Sequence, residues 1–454
     1  MSYIGRLYDP VLATDLYELT MAASYFREGK KGIATFSLHI RDYPPNRAYF
    51  VAAGLASFLE ILGDFRFSGD AIDYLRSLGK FDEDFLSYLK SFRFTGSVRA
   101  LPEGTIFFAQ EPLVEITAPI IEGQILETIV MNTFHVETLI ASKAARCVAA
   151  AGGRGLVDFS LRRTHGIDAG VKTARSSYLV GFLGTSNVLA GRLYGIPVFG
   201  TMAHSYITSF DREIDAFMAY ARSFPENTVL LLDTYDTLKA AEKAVEVARY
   251  LENRGYRLRG VRLDSGDLVE LSRRVKDIFV KNGMDYVSIM ASGSLDEFAL
   301  EELIKSGAHI DAVGIGTKLG VSADAPYLDL AYKLVEYEGK PILKLSPGKR
   351  TWVGRKQVYR YFDGRGQMSH DVLTLMEDKR EGMPLLRDVV INGQILHNPT
   401  LDEARANFAE QFSSLPEEYR SIRPDVKYRV EIGEPLLRLE ERVAREKLRD
   451  QLRG

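Results

Sequence analysis

The segment Arg262-Leu263-Asp264-Ser265-Gly266-Asp267 puts a guanidinium and two carboxylates in one short stretch at the end of an apolar run. A guanidinium forks onto a carboxylate or a phosphate, while Asp264 and Asp267 suit either acceptance from ribose hydroxyls or retention of Mg²⁺ through water. The plain structural alternative is a local Arg–Asp pair that closes the loop, and exposed pairs of that kind contribute little. Ser292-Gly293-Ser294 and Gly314-Ile315-Gly316-Thr317 end two later apolar runs. Backbone N–H groups in glycine turns approach phosphate oxygens with no Cβ in the way. Gly293 and Gly316 equally suit tight turns, and Asp236 and Ser294 equally suit helix caps. Arg162 and Arg163 form a second cationic pair. Taken together, these groups point to a phosphorylated, anionic ligand.

His204 lies in Gly200-Thr201-Met202-Ala203-His204-Ser205, flanked by two hydroxyls. A single histidine is commonly a hydrogen-bonded structural residue; beside phosphate-binding loops, neutral imidazole also suits a base or a phosphoryl acceptor. Spacing leaves both roles open. No HExxH, GxSxG or GxxxxGK[ST] occurs, so the zinc-protease, α/β-hydrolase and P-loop readings lack support.

Elements of a recognisable kind must position these groups. Short β-branched or apolar runs begin at 156, 179, 196, 229, 259, 287 and 311, and amphipathic helical patterns occupy 209–224, 237–254, 268–282 and 295–305. Strand, loop and helix repeating at roughly thirty residues is the βαβ period, with right-handed crossovers. No early GxGxxG follows a strand, which removes the main reason to prefer a dinucleotide fold over a barrel. The expected fold is α/β: a parallel (β/α) barrel-like core, irregular or incomplete, whose reactive groups gather at the carboxyl ends of its strands. Residues 1–123 read as an α/β domain with an antiparallel sheet, carried by an amphipathic start at 15–26 and alternating runs at 34–40 and 97–119. Residues 124–334 read as the barrel. Residues 335–454 read as an extension packing on it, hairpin-rich with basic turns and then charged and helical.

Composition agrees with such a protein. The chain has 454 residues, 46% hydrophobic and 26% charged, enough for a sizeable core. Its net charge of -3 argues against nucleic acid as a main partner. Cys147 is the single cysteine and cannot form an internal disulfide, which fits a reducing, cytoplasmic setting. Arg6, Asp9, Asp15 and Glu18 interrupt the start where a secretory signal needs an apolar run, and charged residues break 113–136, so no signal peptide or membrane span is expected.

TDLYELTMA (14–22), FSLRRTHG (159–166), GTSNVLAG (184–191), GTMAHS (200–205), VRLDSGD (261–267), GIGT (314–317) and KLSPGKRTWVGRKQVYR (344–360) together resemble the nicotinate phosphoribosyltransferase family. The resemblance runs over nearly the whole chain. It implies condensation of nicotinate with 5-phosphoribosyl 1-diphosphate to nicotinate mononucleotide and diphosphate, with Mg²⁺ and coupled ATP hydrolysis, in NAD salvage. It also implies that His204 is transiently phosphorylated and that Tyr17, Thr201 and Arg262 contact nicotinate. Arg162 would lie at the ligand anions and Thr317 would reach the phosphoribosyl group. On this reading Arg262, Asp264 and His204 are the catalytic set, Ser205, Ser265, Gly293 and Gly316 add substrate contacts, and Asp267 is the Mg²⁺ candidate through water. Head-to-tail homodimers are implied, with Tyr17 reaching the partner's site. The nicotinamide-using relative carries an acidic residue where Ser186 stands here, so nicotinate is the expected substrate. A single cysteine cannot build the cysteine-rich zinc module of some relatives, so no structural zinc is expected. The alternatives are the nicotinamide and quinolinate enzymes, a barrel that binds a phosphosugar or nucleotide without turnover, and, more remotely, a phosphosugar isomerase.

Overall fold

The computed structural model describes residues 9–344 and 351–451. The basic turn expected at 345–350, inside the KLSPGKR motif, lies outside the described residues, as do the first eight residues and the last three. The chain forms two compact units, one drawn from Met1–Ser142 and Tyr327–Gly454, the other from Lys143–Pro326. The boundaries expected at 123/124 and 334/335 separate the two ends of the chain, which here share one unit. Strand pairing explains the difference. Leu330–Tyr337 pairs with Ile33–Ile40, and Arg387–Ile391 pairs with Ser97–Ala100, so early and late segments share one sheet.

That sheet has seven strands, in the order Lys340–Pro341, Leu330–Tyr337, Ile33–Ile40, Pro112–Pro119, Ser97–Ala100, Arg387–Ile391, Gln394–Ile395, and its ladders are antiparallel. In Ile33–Ile40 the alternation is plain, with Ala34, Phe36, Leu38 and Ile40 on one face. Both faces are nevertheless buried. The apolar face packs against the helix Ile120–Ile125, where Gly123 leaves room for the Phe36 ring, and that ring stacks on Tyr332 at 4.9 Å. The other face stays polar and is compensated in part by pairing: Thr35 and Thr117 hydroxyls meet at 3.0 Å, and Lys356 reaches Glu115 at 2.9 Å, while Ser37 Oγ and His39 Nε2 have no partner among the described residues. The expected C-terminal hairpin, Lys356–Phe362 with Met368–Leu375, encloses a fully buried pair between Arg360 and Asp371, with contacts of 2.9 and 2.6 Å.

In the second unit six parallel strands run in the order Gly184–Thr185, Gly155–Asp158, Ala312–Ile315, Ser288–Ala291, Gly260–Leu263, Val229–Leu231. The first strand of the series therefore pairs with the last, which an open doubly wound sheet does not do. Val198 adds an isolated parallel bridge to Thr185. The strands follow one another round in chain order, with no ladder among the described residues between Val198 and Val229. The result is the expected parallel array, as an incomplete barrel. The expected strands at 179–186 and 196–205 shrink to Gly184–Thr185 and that single bridge, because Leu179 ends the helix Ile167–Leu179 and Gly181, at φ 114°, turns the chain. The four anticipated helices form at Glu213–Ser223, Thr237–Glu252, Leu268–Lys281 and Glu297–Lys305. Among the described residues no helix is long and apolar enough to cross a membrane.

Helix Leu16–Arg27 buries Glu18 completely. Its carboxylate accepts from Thr14 Oγ1 at 2.7 Å and from the Thr128 hydroxyl. Burial, with a smaller contribution from Glu127, outweighs those bonds and raises its pKa to about 7. A folded-state pKa above the unfolded value means stability is fullest below the unfolded pKa and is lost as pH rises toward 7. Glu18→Gln removes that dependence. Thermal melts should therefore show the variant gaining on the wild type by roughly 2 °C or more between pH 5.5 and pH 8; an unchanged difference would contradict the assignment.

Candidate active site

The reactive groups of the second unit lie where its parallel strands end. In Gly260–Leu263, Val261 and Leu263 are fully buried in the core, and Arg262 alternates to the opposite side. Three groups fix its guanidinium. Nη1 donates to Asp264 Oδ1 at 3.1 Å and to Ser292 Oγ at 3.3 Å, while Nη2 donates to the Met202 carbonyl at 2.8 Å. The Ser292 hydroxyl donates to the same Asp264 oxygen. Asp233 holds the far side of the loop through Oδ2, accepting from the Asp264 N–H at 3.1 Å and the Ser265 hydroxyl at 2.5 Å. Two atoms of this network, Arg262 Nε and Asp233 Oδ1, are buried without a protein hydrogen-bond partner. Unpaired buried polar atoms are costly. At a strand-end rim, such atoms are open to bonds from water or from a polar ligand.

Burial pushes the Arg262 pKa down, Asp264 and Asp233 oppose that, and the positive charge of Arg162 adds to the lowering. A guanidinium remains charged throughout the physiological range regardless. Arg162 and Arg163 are exposed in the turn Leu161–Arg163 that follows the strand Gly155–Asp158. Buried Asp158, at the end of that strand, accepts from the Ser160 N–H at 2.9 Å and the Thr185 hydroxyl at 2.7 Å. Burial raises its pKa, and those bonds act against the rise. Its carbonyl takes the Ser186 N–H at 2.8 Å, which fixes the start of the GTSN loop.

His204 opens the helix His204–Thr208, and its Nδ1 lies 3.1 Å from the Thr234 hydroxyl. Thr201 and Ser205 flank it, Thr201 half-buried and Ser205 exposed. The glycine loops are close at hand. Gly293 has φ 95°, and a Cβ there would stand 1.9 Å from the Asp264 carbonyl, so the SGS turn lies directly on the DSGD loop. Gly316 is less constrained; a Cβ would stand 3.1 Å from the Phe159 carbonyl. Gly314 leaves room for the half-buried Phe159 ring. Lys318 joins the two loops by a 2.8 Å bond to Asp296.

The alternatives for the caps resolve individually. Asp236 does cap Thr237–Glu252, whereas Glu297–Lys305 is capped by Asp296 and not by Ser294. Asp267 caps Leu268–Lys281, accepting from Val269 and Glu270 N–H groups at 3.1 Å, both through Oδ1. Among the described residues no group of three or more His, Cys, Asp or Glu side chains is placed to hold a metal ion.

The structure thus connects Arg262 to Asp264 directly, ties Ser265 to Asp264 through Asp233 and seats Gly293 against Asp264, with Arg162, Thr201, His204, Ser205, Gly316 and Thr317 in the same unit. Tyr17 belongs to the other unit. There it is 46% exposed, hence available, at a cavity of about 370 Å³ shared with Asp15, Glu127, Asn132 and His135. Asp233, Asp158 and Thr234 are given no individual role by the sequence, Ser292 enters only as part of the Ser-Gly-Ser turn, and Phe159 only as the first residue of FSLRRTHG. In the antiparallel unit Ser37 Oγ, His39 Nε2 and Arg41 Nε are also buried without partners. Burial and the charges of Lys356, Arg41 and Lys333 hold His39 down at about 3, so the ring is neutral.

Comparison with known proteins gives a consistent picture. The model of the nicotinate phosphoribosyltransferase (NAPRTase) N-terminal domain matches residues 12–135, and that of the nicotinate phosphoribosyltransferase (NAPRTase) family matches residues 155–363. Nicotinate phosphoribosyltransferase pncB2 of Mycobacterium tuberculosis is 49% identical over 422 residues, 92% of this chain and 89% of its own. The nicotinate phosphoribosyltransferase of Bacillus subtilis is 36% identical over 458 residues, 93% of each chain. The crystal structure of human nicotinic acid phosphoribosyltransferase matches with a TM-score of 0.85 at 31% identity, covering 94% of this chain and 99% of that one.

The contrast between the two glycine loops is measurable. Gly293→Ala must both adopt an unfavourable positive φ and displace backbone, so denaturant unfolding should show a loss of about 2 kcal/mol or more. Gly316→Ala, with φ -119° and a contact at 3.1 Å that a shift of a few tenths of an ångström relieves, should lose less. Equal losses would contradict the packing described.

Proposed function

The chain belongs to the nicotinate phosphoribosyltransferase family, and from that premise we propose the following division of labour among its residues. The reaction breaks the C1–O bond of 5-phosphoribosyl 1-diphosphate, diphosphate leaves with the electron pair, and the pyridine nitrogen of nicotinate forms the C–N bond of nicotinate mononucleotide. The developing ribosyl cation demands that the leaving anion be held and the nucleophile aligned before the bond breaks. The observation that carries the assignment is Arg262, a mostly buried guanidinium pinned on three sides, with Nε unpartnered.

Arg262 and Thr201 receive the nicotinate carboxylate, and the ring of Phe159 gives the pyridine an aromatic face. Asp264 and Ser265 take ribose hydroxyls. Backbone N–H groups at Gly293 and Gly316, with the Thr317 hydroxyl, receive phosphate, and Arg162 adds charge at the ligand anions. Ser186 is neutral, so nicotinate meets no like charge there. Mg²⁺ bound through a carboxylate and substrate phosphates would shield the diphosphate, and Asp267 is the residue that suits its water shell; a single carboxylate is an adequate protein contribution to such a site. His204 accepts the γ-phosphoryl group of ATP and Ser205 supports it. Two chains pair so that Tyr17 serves the partner's site, a reading supported by its exposure.

The reading is tested by forming nicotinate mononucleotide from nicotinate with and without ATP, beside nicotinamide. Wild type should prefer nicotinate and respond to ATP. Ser186→Asp should shift the kcat/KM ratio toward nicotinamide by about tenfold or more, and His204→Ala should abolish the response to ATP. Equal use of both pyridines by wild type would overturn the substrate assignment.

A further inference from the structure

The bond between His204 Nδ1 and the Thr234 hydroxyl has no role in the scheme above. We propose that Thr234 is a positioning residue: its hydroxyl accepts the Nδ1 proton, keeps the ring in the tautomer with a lone pair on Nε2, and so makes Nε2 the phosphoryl acceptor. The inference rests on the phosphohistidine reading and adds to it the reacting atom and its partner.

Both ends of the contact are held. Thr234 follows Leu232, whose N–H bonds the Arg262 carbonyl at 3.1 Å, and Asp233, which grips Asp264 and Ser265. It precedes Asp236, whose carboxylate caps Thr237–Glu252 through bonds of 3.1 and 3.0 Å. His204 follows Met202, whose carbonyl is bound by Arg262 at 2.8 Å. The guanidinium of Arg262 thus holds the segment of His204 through the Met202 carbonyl, and the backbone carbonyl of the same residue holds the segment of Thr234.

The chemistry of the partner matters as much as its place. In a neutral imidazole one nitrogen donates and the other accepts, and the bond at one fixes the other. If Thr234 donated to Nδ1, the proton would sit on Nε2 and block attack. With Thr234 accepting, Nε2 attacks the γ-phosphorus of ATP, the bond to the β-phosphate oxygen breaks, and ADP leaves with the electron pair. The ring then carries positive charge with Nδ1–H still donating to Thr234. Water later attacks phosphorus, the N–P bond breaks, and Nε2 recovers its lone pair. A carboxylate at this position would favour imidazolium before the reaction and remove the lone pair. The adjacent Asp233 is instead committed, through Oδ2, to the Asp264 loop. A neutral hydroxyl orients the ring without charging it.

The test is transfer of labelled γ-phosphate from ATP to the full-length enzyme, with the isomer of phosphohistidine identified after alkaline hydrolysis. Wild type should carry label on Nε2. Thr234→Val should label about tenfold more slowly, the scale of one net hydrogen bond, and Thr234→Ser should restore the rate. Thr234→Asp should move the pH midpoint of labelling upward by about one unit, because a carboxylate beside the ring favours imidazolium, while rescue by Ser and the labelled nitrogen separate positioning from a merely structural contact. Label on Nδ1, a wild-type rate in the Val variant, or an unmoved midpoint in the Asp variant would each overturn the inference. Should the Val variant fail to fold, the Ser and Asp variants decide. Wild type without label on His204, judged against His204→Ala, would overturn the phosphohistidine reading itself and this inference with it.

Discussion

A charged guanidinium withdrawn from water must be compensated, and that requirement on Arg262 organises the strand-end site. Asp264 alone would neutralise it in one direction. The structure adds Ser292 and the Met202 carbonyl, so three chain segments converge on one side chain. Asp233 extends the network to the backbone of the next loop. Satisfying most of the donors lowers the cost of burial, and leaving Nε open preserves a directed, charged donor for an anion. The same convergence fixes the segments bearing His204, Thr234 and Gly293, so binding and phosphoryl-accepting groups depend on one interaction.

The parallel sheet makes that convergence possible. Its strands pair in register, Met290 beside Arg262 and Ala291 beside Leu263, so the loops that follow begin at matched heights. Apolar residues such as Ile289, Val313 and Ile315 are completely buried and hold the ends in place. Close loop contacts then leave no space for side chains at Gly293. The antiparallel unit follows another rule: both faces of its central strand are covered, one by apolar packing and one by paired polar groups including Lys356 and Glu115.

Much of this was legible in the residues because local periodicity and burial agree. The helices at 237–252 and 268–281 carry strong apolar stripes and acidic caps, and their ends lie within two residues of the expected positions. The strand-end rule selected Arg262, Asp264 and Ser265 because polar residues abruptly close apolar runs there. Long-range pairing was not legible. Nothing local in Arg387–Ile391 announces a partner at Ser97–Ala100. The strand Gly184–Thr185 is too short to show alternation, and Thr234 is an ordinary hydroxyl until folding brings His204 to it across thirty residues. Cross-links of that kind exist only in the fold.

The most direct test of the central claim is a double-mutant cycle on kcat/KM for nicotinate mononucleotide formation, using Arg262→Lys, Ser292→Ala and the double variant. If Ser292 acts by holding the guanidinium, the two substitutions should be coupled by about 1 kcal/mol or more, because lysine cannot use the fork that Ser292 supports. Strictly additive losses would mean that Arg262 and Ser292 act independently, and would contradict an account in which one compensated guanidinium organises the site.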